Sequence, residues 1–172
     1  MNGLVLLNKP KGITSFSAVS AVKRICCEKR VGHTGTLDPM ATGVLPVLLG
    51  RATRLCPFIM DADKRYTATI KFGTTTDTLD ITGTVLSQTP CSITRQQLSL
   101  VLTEFTGETF QIPPMYSAIK KDGVRLYDLA RQGKEVEREP RRIKIYEINL
   151  LERQGDEFKI DVLCSKGTYI RS

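Results

Sequence analysis

The feature that most constrains the fold is segment 143–164, where apolar and polar side chains alternate on both sides of a turn. The second run alternates regularly, and the first changes phase once, as a β-bulge requires. We therefore predict two antiparallel strands joined by a hairpin around Gln154–Gly155–Asp156. A similar alternation over Tyr66–Phe72, closed by Gly73, predicts a further strand with one buried face.

Helical patterns are fewer than strand patterns and do not alternate regularly with them. One helix should run from a cap at Thr14 or Ser15 to Ile25, one from a capping box at Thr94 to Phe105, and a short one over Leu126–Gln132. The short apolar run Leu4–Leu7 predicts a buried strand. This order favours an α+β fold with a mixed, largely antiparallel central sheet flanked by helices and loops, rather than a doubly wound sheet.

Several function classes lose support from composition. The five cysteines are scattered with no C-x-x-C pair, and there is one histidine, so we expect reduced thiols and no metal site. Neither common glycine-rich phosphate loop occurs, which argues against a nucleotide cofactor. No apolar run approaches the roughly 20 residues of a membrane span, and we expect a cytoplasmic protein.

The net charge of +7 is concentrated in two stretches. Residues 9–30 hold six basic residues against one acidic, and residues 120–144 hold nine against five. A polyanion-binding surface needs such patches, because neutralised phosphates release counterions. Ordinary solvated faces also carry Lys and Arg, so charge alone leaves both interpretations open.

The segment Val31–Gly43 is rich in glycine and small residues and shows no period, so we predict a loop. Within it, Asp38 followed by Pro39 is also typical of a helix start. The neighbourhood favours a functional role, since three glycines and the only histidine lie within twelve residues and let a ligand approach the backbone.

Several motifs in order resemble those of one family. Leu7–Gly12 (LNKPKG) and Gly32–Gly43 (GHTGTLDPMATG) are similar to the opening motifs of the TruB family of tRNA pseudouridine synthases. Later blocks follow in the family's order: Lys64–Tyr66, Gly73–Thr78, Pro114–Ala118 and Cys164–Ser172. Related archaeal and eukaryotic enzymes share the aspartate block and use a guide RNA. Because the N-terminus is short and begins at Met1, we expect the bacterial type and no guide RNA.

The resemblance implies isomerisation of uridine to pseudouridine at position 55 in the T-arm of tRNA. The target nucleotide flips out of its stack, the N1 glycosidic bond breaks, and the base is rejoined through C5. No cofactor is implied, and no metal. By the match, Asp38 is the essential carboxylate, acting either as nucleophile or as base on the ribose, and Arg171 forms an ion pair with it.

The remaining site residues follow from the same match. Tyr66 corresponds to a tyrosine that stacks on the uracil and is a candidate base for the C5 proton. The alternating pattern of its strand, taken alone, suggests instead that Tyr66 is a core residue. His33 and Tyr169 are expected to contact the flipped nucleotide or the space that it leaves. Lys9, in the first motif, is assigned to substrate binding.

The resemblance also carries an expectation about domains and partners. Residues 1–172 are expected to form a catalytic pseudouridine synthase domain that is incomplete at its C-terminal end, with the PUA-type RNA-binding domain of the family absent from this chain. We expect a monomer that binds the T-arm stem-loop of tRNA and no membrane. Two alternatives stay open, which are a non-catalytic tRNA-binding or tRNA-folding module and a nucleosidase that would release free uracil.

Overall fold

The computed structural model describes all residues from Met1 to Ser172 and divides into two compact units, Met1–Ala62 and Asp63–Ser172. Strands and helices follow one another without regular alternation, and every strand pair is antiparallel. The predicted α+β class is therefore confirmed. None of the helices has the length and apolar character needed to cross a membrane.

Unit 1 is a three-stranded sheet covered by one helix. Its elements are β1 Gly3–Lys9, α1 Ser15–Ile25, β2 Val31–His33, β3 Gly43–Leu49, a 3₁₀ helix Gly50–Leu55 and α2 Cys56–Met60. The strand order is β1-β3-β2. Three residues of α1 pack on three of β3 to form the core: Ala18, Val19, Val22, Leu45, Val47 and Leu49.

The predicted first helix is confirmed, with Thr14 as its cap. The Thr14 hydroxyl accepts a hydrogen bond from the Ser17 amide at 3.0 Å, which satisfies one of the free amides of the first turn. Lys23 and Arg24 occupy the last turn, where a positive charge is favourable next to the exposed carbonyls.

The prediction of a buried strand over Leu4–Leu7 is only half right. The segment is a strand, but Leu4 is 51% exposed and Leu6 is 67% exposed. Only Val5 and Leu7 pack against the core. The strand lies at the edge of a sheet that α1 covers on one face, and a short apolar run does not reveal which face is covered.

The prediction of a loop over the whole of Val31–Gly43 is wrong for its first three residues and for Gly43, which begins β3. Val31–His33 forms β2, which pairs with the end of β3 in the register Val31↔Leu49 to His33↔Val47. Three residues are too few to show a period, so this strand is specified by its partner and not by its own pattern.

Unit 2 is built on a four-stranded antiparallel sheet in the order β4-β11-β10-β7. Its elements are β4 Lys64–Lys71, β5 Thr74–Thr76, β6 Val85–Gln88, α3 Arg95–Glu104, β7 Gly107–Gln111, β8 Lys120–Lys121, β9 Val124–Arg125, α4 Leu126–Arg131, β10 Arg141–Gln154 and β11 Glu157–Cys164. Strands β5 and β6 form one small sheet and β8 and β9 another.

The core of unit 2 lies between α3 and the large sheet. Leu98 and Leu102 of α3 pack against the inner face of β11, where Phe158 is fully buried. The predicted capping box is present, since the side chains of Thr94 and Gln97 bond each other's backbone amides.

The predicted hairpin of β10 and β11 is confirmed, including the change of phase. The register shifts between Ile145 and Glu147, where the sequence predicted a bulge, and again between Leu150 and Glu152. The strand predicted at Tyr66–Phe72 is confirmed as β4, which pairs with β11.

Candidate active site

The segment of unit 1 that carries Asp38 is held on both sides of the aspartate. On the N-terminal side, the Ser15 hydroxyl donates to the Leu37 carbonyl at 3.1 Å and accepts from the Leu37 amide at 2.9 Å. On the C-terminal side, the Pro39 carbonyl accepts from the Gly12 amide at 2.8 Å. The half-buried Asp38 therefore lies between two peptide groups that α1 and the turn before it keep in place.

Lys9 is a second anchor of this segment. Its side chain is fully buried, and its ammonium donates to the carbonyls of Pro10 at 2.9 Å, Ile13 at 2.8 Å and Pro39 at 3.2 Å. Burial lowers the pKa of Lys9, and the nearby Asp38 carboxylate opposes that shift. A lysine ammonium has three N–H groups, and here each has a carbonyl acceptor.

His33 ends β2 and precedes the Asp38 segment. Its ring Nδ1 accepts from the Gly35 amide at 3.4 Å, and its carbonyl accepts from the Cys56 thiol at 3.1 Å. The ring is half-buried. The backbone of His33 is thus fixed by the sheet, while the side chain lies beside the glycine-rich turn.

In unit 2, the other predicted site residues gather near one end of β11. Tyr66 on β4 lies opposite Val162, two residues before β11 ends at Cys164. The chain continues from there through the irregular segment 165–172, which carries Tyr169 and Arg171. Tyr66 and Ile170 pack against the same core cluster. The sheet thereby brings Tyr66 and this segment to the same end of unit 2.

The Arg171 guanidinium is half-buried and makes several contacts inside unit 2. Its Nη1 donates to the Thr78 carbonyl at 3.2 Å, and its Nη2 donates to the Tyr116 carbonyl at 2.9 Å. Nη1 also lies 3.5 Å from the Asp80 carboxylate. The planar donor fork is therefore oriented by two carbonyls and one carboxylate.

Asp80 belongs to a tight turn between β5 and β6 that is rich in threonine. Its Oδ1 accepts from the Thr78 hydroxyl at 2.9 Å and from the Thr82 amide at 2.9 Å. Burial alone would raise the pKa of Asp80, but the hydrogen bonds from Thr82 and Thr78 and the charge of Arg171 outweigh it and lower the pKa. The turn also requires Gly83, because a Cβ atom there would lie 2.3 Å from the Thr78 hydroxyl.

A basic surface lies on the β8–β9 hairpin and α4 of unit 2. The guanidinium carbons of Arg125 and Arg131 lie 5.6 Å and 5.4 Å from the centroid of the Tyr127 ring, and Lys120 and Lys121 are exposed beside them. The Tyr127 hydroxyl accepts from Arg125 at 2.7 Å. These residues form a cationic surface built around one aromatic ring.

Comparison with known proteins identifies the family. The sequence matches the TruB family pseudouridylate synthase (N terminal domain) over residues 23–170. The chain belongs to the TruB family. The TruB-family match includes both the Asp38 segment of unit 1 and nearly all of unit 2, and so agrees with the resemblance that the motifs indicated.

Individual relatives of this TruB-family chain agree. It is 50% identical over 172 residues to tRNA pseudouridine synthase B of Azoarcus sp. (strain BH72), a match that covers 100% of the chain and 57% of that protein. A chain from a Cbf5–Nop10–Gar1 complex is 33% identical with a TM-score of 0.74, and the match covers 99% of this chain and 41% of that one. A chain from an H/ACA RNP bound to a substrate RNA containing 2'-deoxyuridine is 29% identical with a TM-score of 0.71, covering 99% and 40%. The chain spans little more than half the length of the curated relatives that it matches.

Sequence reasoning named neither Asp80 nor Gln111, and it named Ser15 only as a possible helix cap. Each acts through side-chain contacts with a segment at least 22 residues away, or with Arg171. Only the position of Ser15 at a helix start was visible in the sequence, and that position predicts a cap rather than a contact with Leu37.

Proposed function

We propose that this chain carries the catalytic part of a tRNA pseudouridine synthase, which isomerises uridine at position 55 in the T-arm of tRNA. The observation that carries the proposal is the anchoring of the peptide groups on both sides of Asp38. A catalytic carboxylate must be held in one geometry, and such anchoring lowers the entropic cost of the reaction. Relatives named tRNA pseudouridine synthase B, about half identical over the whole chain, support the substrate class.

The proposed reaction needs one carboxylate and no cofactor. The bond between N1 and the ribose C1′ breaks, the uracil turns within the site, and C5 forms the new bond to C1′. C5 then loses its proton while N1 takes one up, so that the product is an isomer of the substrate. Because the leaving base is itself the incoming nucleophile, no second carboxylate is needed to activate water, unlike in a glycosidase. Asp38 either attacks the ribose or removes a proton from it, and Tyr66 is the candidate base for the C5 proton.

The contacts inside each unit suggest roles for three other residues. We assign Lys9 to holding the Asp38 segment rather than to contact with RNA, because its ammonium already donates to three carbonyls and a new contact would break one of those bonds. Asp80 is proposed to orient Arg171. His33 and Tyr169 keep their proposed role at the flipped nucleotide, and the ion pair of Arg171 with Asp38 stays a prediction.

RNA binding is supported by charge and by one structural neighbour. The net charge is +7, and the Arg125–Tyr127–Arg131 surface offers cations together with an aromatic ring, the combination that binds phosphates and unstacked bases. A chain of similar fold belongs to a ribonucleoprotein bound to a substrate RNA. We expect this chain to act on tRNA as a monomer in the cytoplasm, without a guide RNA.

The decisive experiment measures pseudouridine in a T-arm stem-loop RNA by nucleoside mass spectrometry after incubation with this chain. We expect product with the wild-type chain and a loss on the order of 10²–10⁴-fold with Asp38→Asn, while RNA affinity stays near the wild-type value. Asp156→Asn, at an exposed hairpin turn, is the matched control and should leave turnover unchanged. The full-length Azoarcus relative serves as a positive control for the RNA.

Other outcomes select the alternatives. Free uracil with an abasic RNA would indicate a nucleosidase. RNA binding without product, in both the wild-type chain and Asp38→Asn, would contradict the proposal for this chain and favour a binding or folding module, provided that the Azoarcus relative is active on the same RNA.

A further inference from the structure

A glutamine at the end of β7 contacts the segment that carries Tyr169 and Arg171. The Gln111 Oε1 accepts from the Tyr169 amide at 2.8 Å. Its Nε2 donates to the Tyr169 carbonyl at 2.8 Å and to the main-chain oxygen of Ser172 at 3.0 Å. The side chain is half-buried, and three of its four hydrogen-bonding positions are used on one short stretch of backbone.

This set of partners specifies the residue type. One backbone N–H and two main-chain oxygens converge on the side chain, so it must present one acceptor and two donors. A primary amide has both in one plane, whereas a carboxylate has no donor and a methionine has neither. Asparagine carries the same amide, but its side chain is one methylene shorter, so the amide would lie too far from these partners. The orientation of the Gln111 amide is also determined, because the opposite orientation would place N–H against N–H.

The next residues after Gln111 hold the same segment at a second point. The chain passes through the buried residues Pro113 and Pro114 to Tyr116, whose carbonyl accepts from Arg171 at 2.9 Å. Two prolines in succession fix φ and stiffen the backbone. Residues 111–116 therefore form a stiff segment that contacts residues 169–172 at two points, through the Gln111 amide at one end and the Tyr116 carbonyl at the other.

We propose that Gln111 is a positioning residue for the isomerisation, an inference that rests on the proposed function. Gln111 fixes the position of the Tyr169 backbone, and thereby the position of the Arg171 Cα atom two residues later. It touches neither the RNA nor the reacting atoms. Its loss should reduce the rate of the chemical step much more than it weakens RNA binding, since displacement of a catalytic group by about 1 Å can cost up to about 100-fold in rate.

The test uses Gln111→Met, which keeps length and removes every hydrogen bond, with Gln96→Met at an exposed position of α3 as the matched control. Hydrogen exchange of the Tyr169 amide, measured by NMR, should accelerate roughly fivefold or more in Gln111→Met, the factor expected for one lost hydrogen bond. It should stay unchanged in Gln96→Met. This measurement does not depend on activity.

The functional measurement is single-turnover pseudouridine formation at saturating T-arm RNA, together with the RNA dissociation constant. Gln111→Met should lower the rate constant on the order of 10- to 100-fold. The dissociation constant should change less than about threefold. Gln111→Glu gives a signature that a general loss of stability would not produce. The protonated acid regains an O–H donor, so its rate relative to wild type should rise as the pH falls from about 8 to about 5.5, whereas the relative rate of Gln111→Met should not.

Each result decides one of the two proposals. Unchanged exchange at Tyr169 in Gln111→Met would overturn the inference, as would wild-type turnover in Gln111→Met despite faster exchange. A wild-type chain that binds RNA but forms no product would overturn the proposed function instead, and the exchange measurement would still show whether Gln111 holds Tyr169.

Discussion

Replacing Ser15 by alanine tests whether the Asp38 segment is held by one buried hydroxyl. The Ser15 side chain is 2% exposed, and its hydroxyl makes two hydrogen bonds to the peptide groups of Leu37. Each bond contributes about 0.5–1.5 kcal/mol net, and Leu37 is itself only half-buried, so water can partly replace the lost partner. We therefore expect the free energy of unfolding to fall by about 1–3 kcal/mol.

The assay is urea denaturation followed by circular dichroism, combined with hydrogen exchange of the Leu37 amide. Ser20→Ala is the matched control, because Ser20 is exposed in the same helix and alanine is the better helix former. Exchange at Leu37 should accelerate in Ser15→Ala and not in Ser20→Ala. If the two variants agree within about 0.5 kcal/mol and Leu37 stays protected, the argument that Ser15 anchors the aspartate is wrong.

Two further changes test the anchors of each unit. Lys9→Met should lower the free energy of unfolding by about 2–4 kcal/mol, because three carbonyls lose a charged donor. Lys11→Met, at an exposed position, is the control and should leave the free energy of unfolding unchanged. Equal stability of the two variants in urea would refute the anchoring role of Lys9. Asp80→Asn should cost about 1 kcal/mol at pH 7, the difference between a charged and a neutral acceptor. Because the folded-state pKa of Asp80 lies below its ordinary value of 3.8, this contribution is present above that pH and is lost as the pH falls through the folded-state pKa. Urea titrations should therefore find the two proteins converging below about pH 4, and a constant difference would contradict the lowered pKa of Asp80.

Local patterns predicted the elements whose own residues specify them. The β10–β11 hairpin was visible because alternation and phase shift lie within one continuous segment, and α3 because Thr94 and Gln97 are three residues apart. Strand β3 was missed. Its apolar run lacks alternation, because Leu48 is buried although it lies outside the cluster that packs on α1, and it contains Pro46, a residue that normally argues against a central strand.

The site divides in the same way. Motif resemblance singled out Asp38 and Arg171, but it could not show how either is held. Asp80 approaches Arg171 across about 90 residues of chain, and Gln111 reaches Tyr169 across a separation of 58 residues. Contacts at such separations follow from strand order and register, and neither was available from the sequence.

The pairing of β4 with β11 also determines when unit 2 can fold during synthesis. Lys64 and Cys164 are partners across a separation of 100 residues, which a ribosome adding about 5–20 residues per second spans in about 5–20 s. All strands of unit 1 are complete once Leu49 has been added to the chain. In contrast, β4 has an unpaired edge and an uncovered apolar face until β11 has been synthesised. We therefore expect nascent chains that stop between β4 and β11 to be the species most prone to aggregation and most dependent on chaperones.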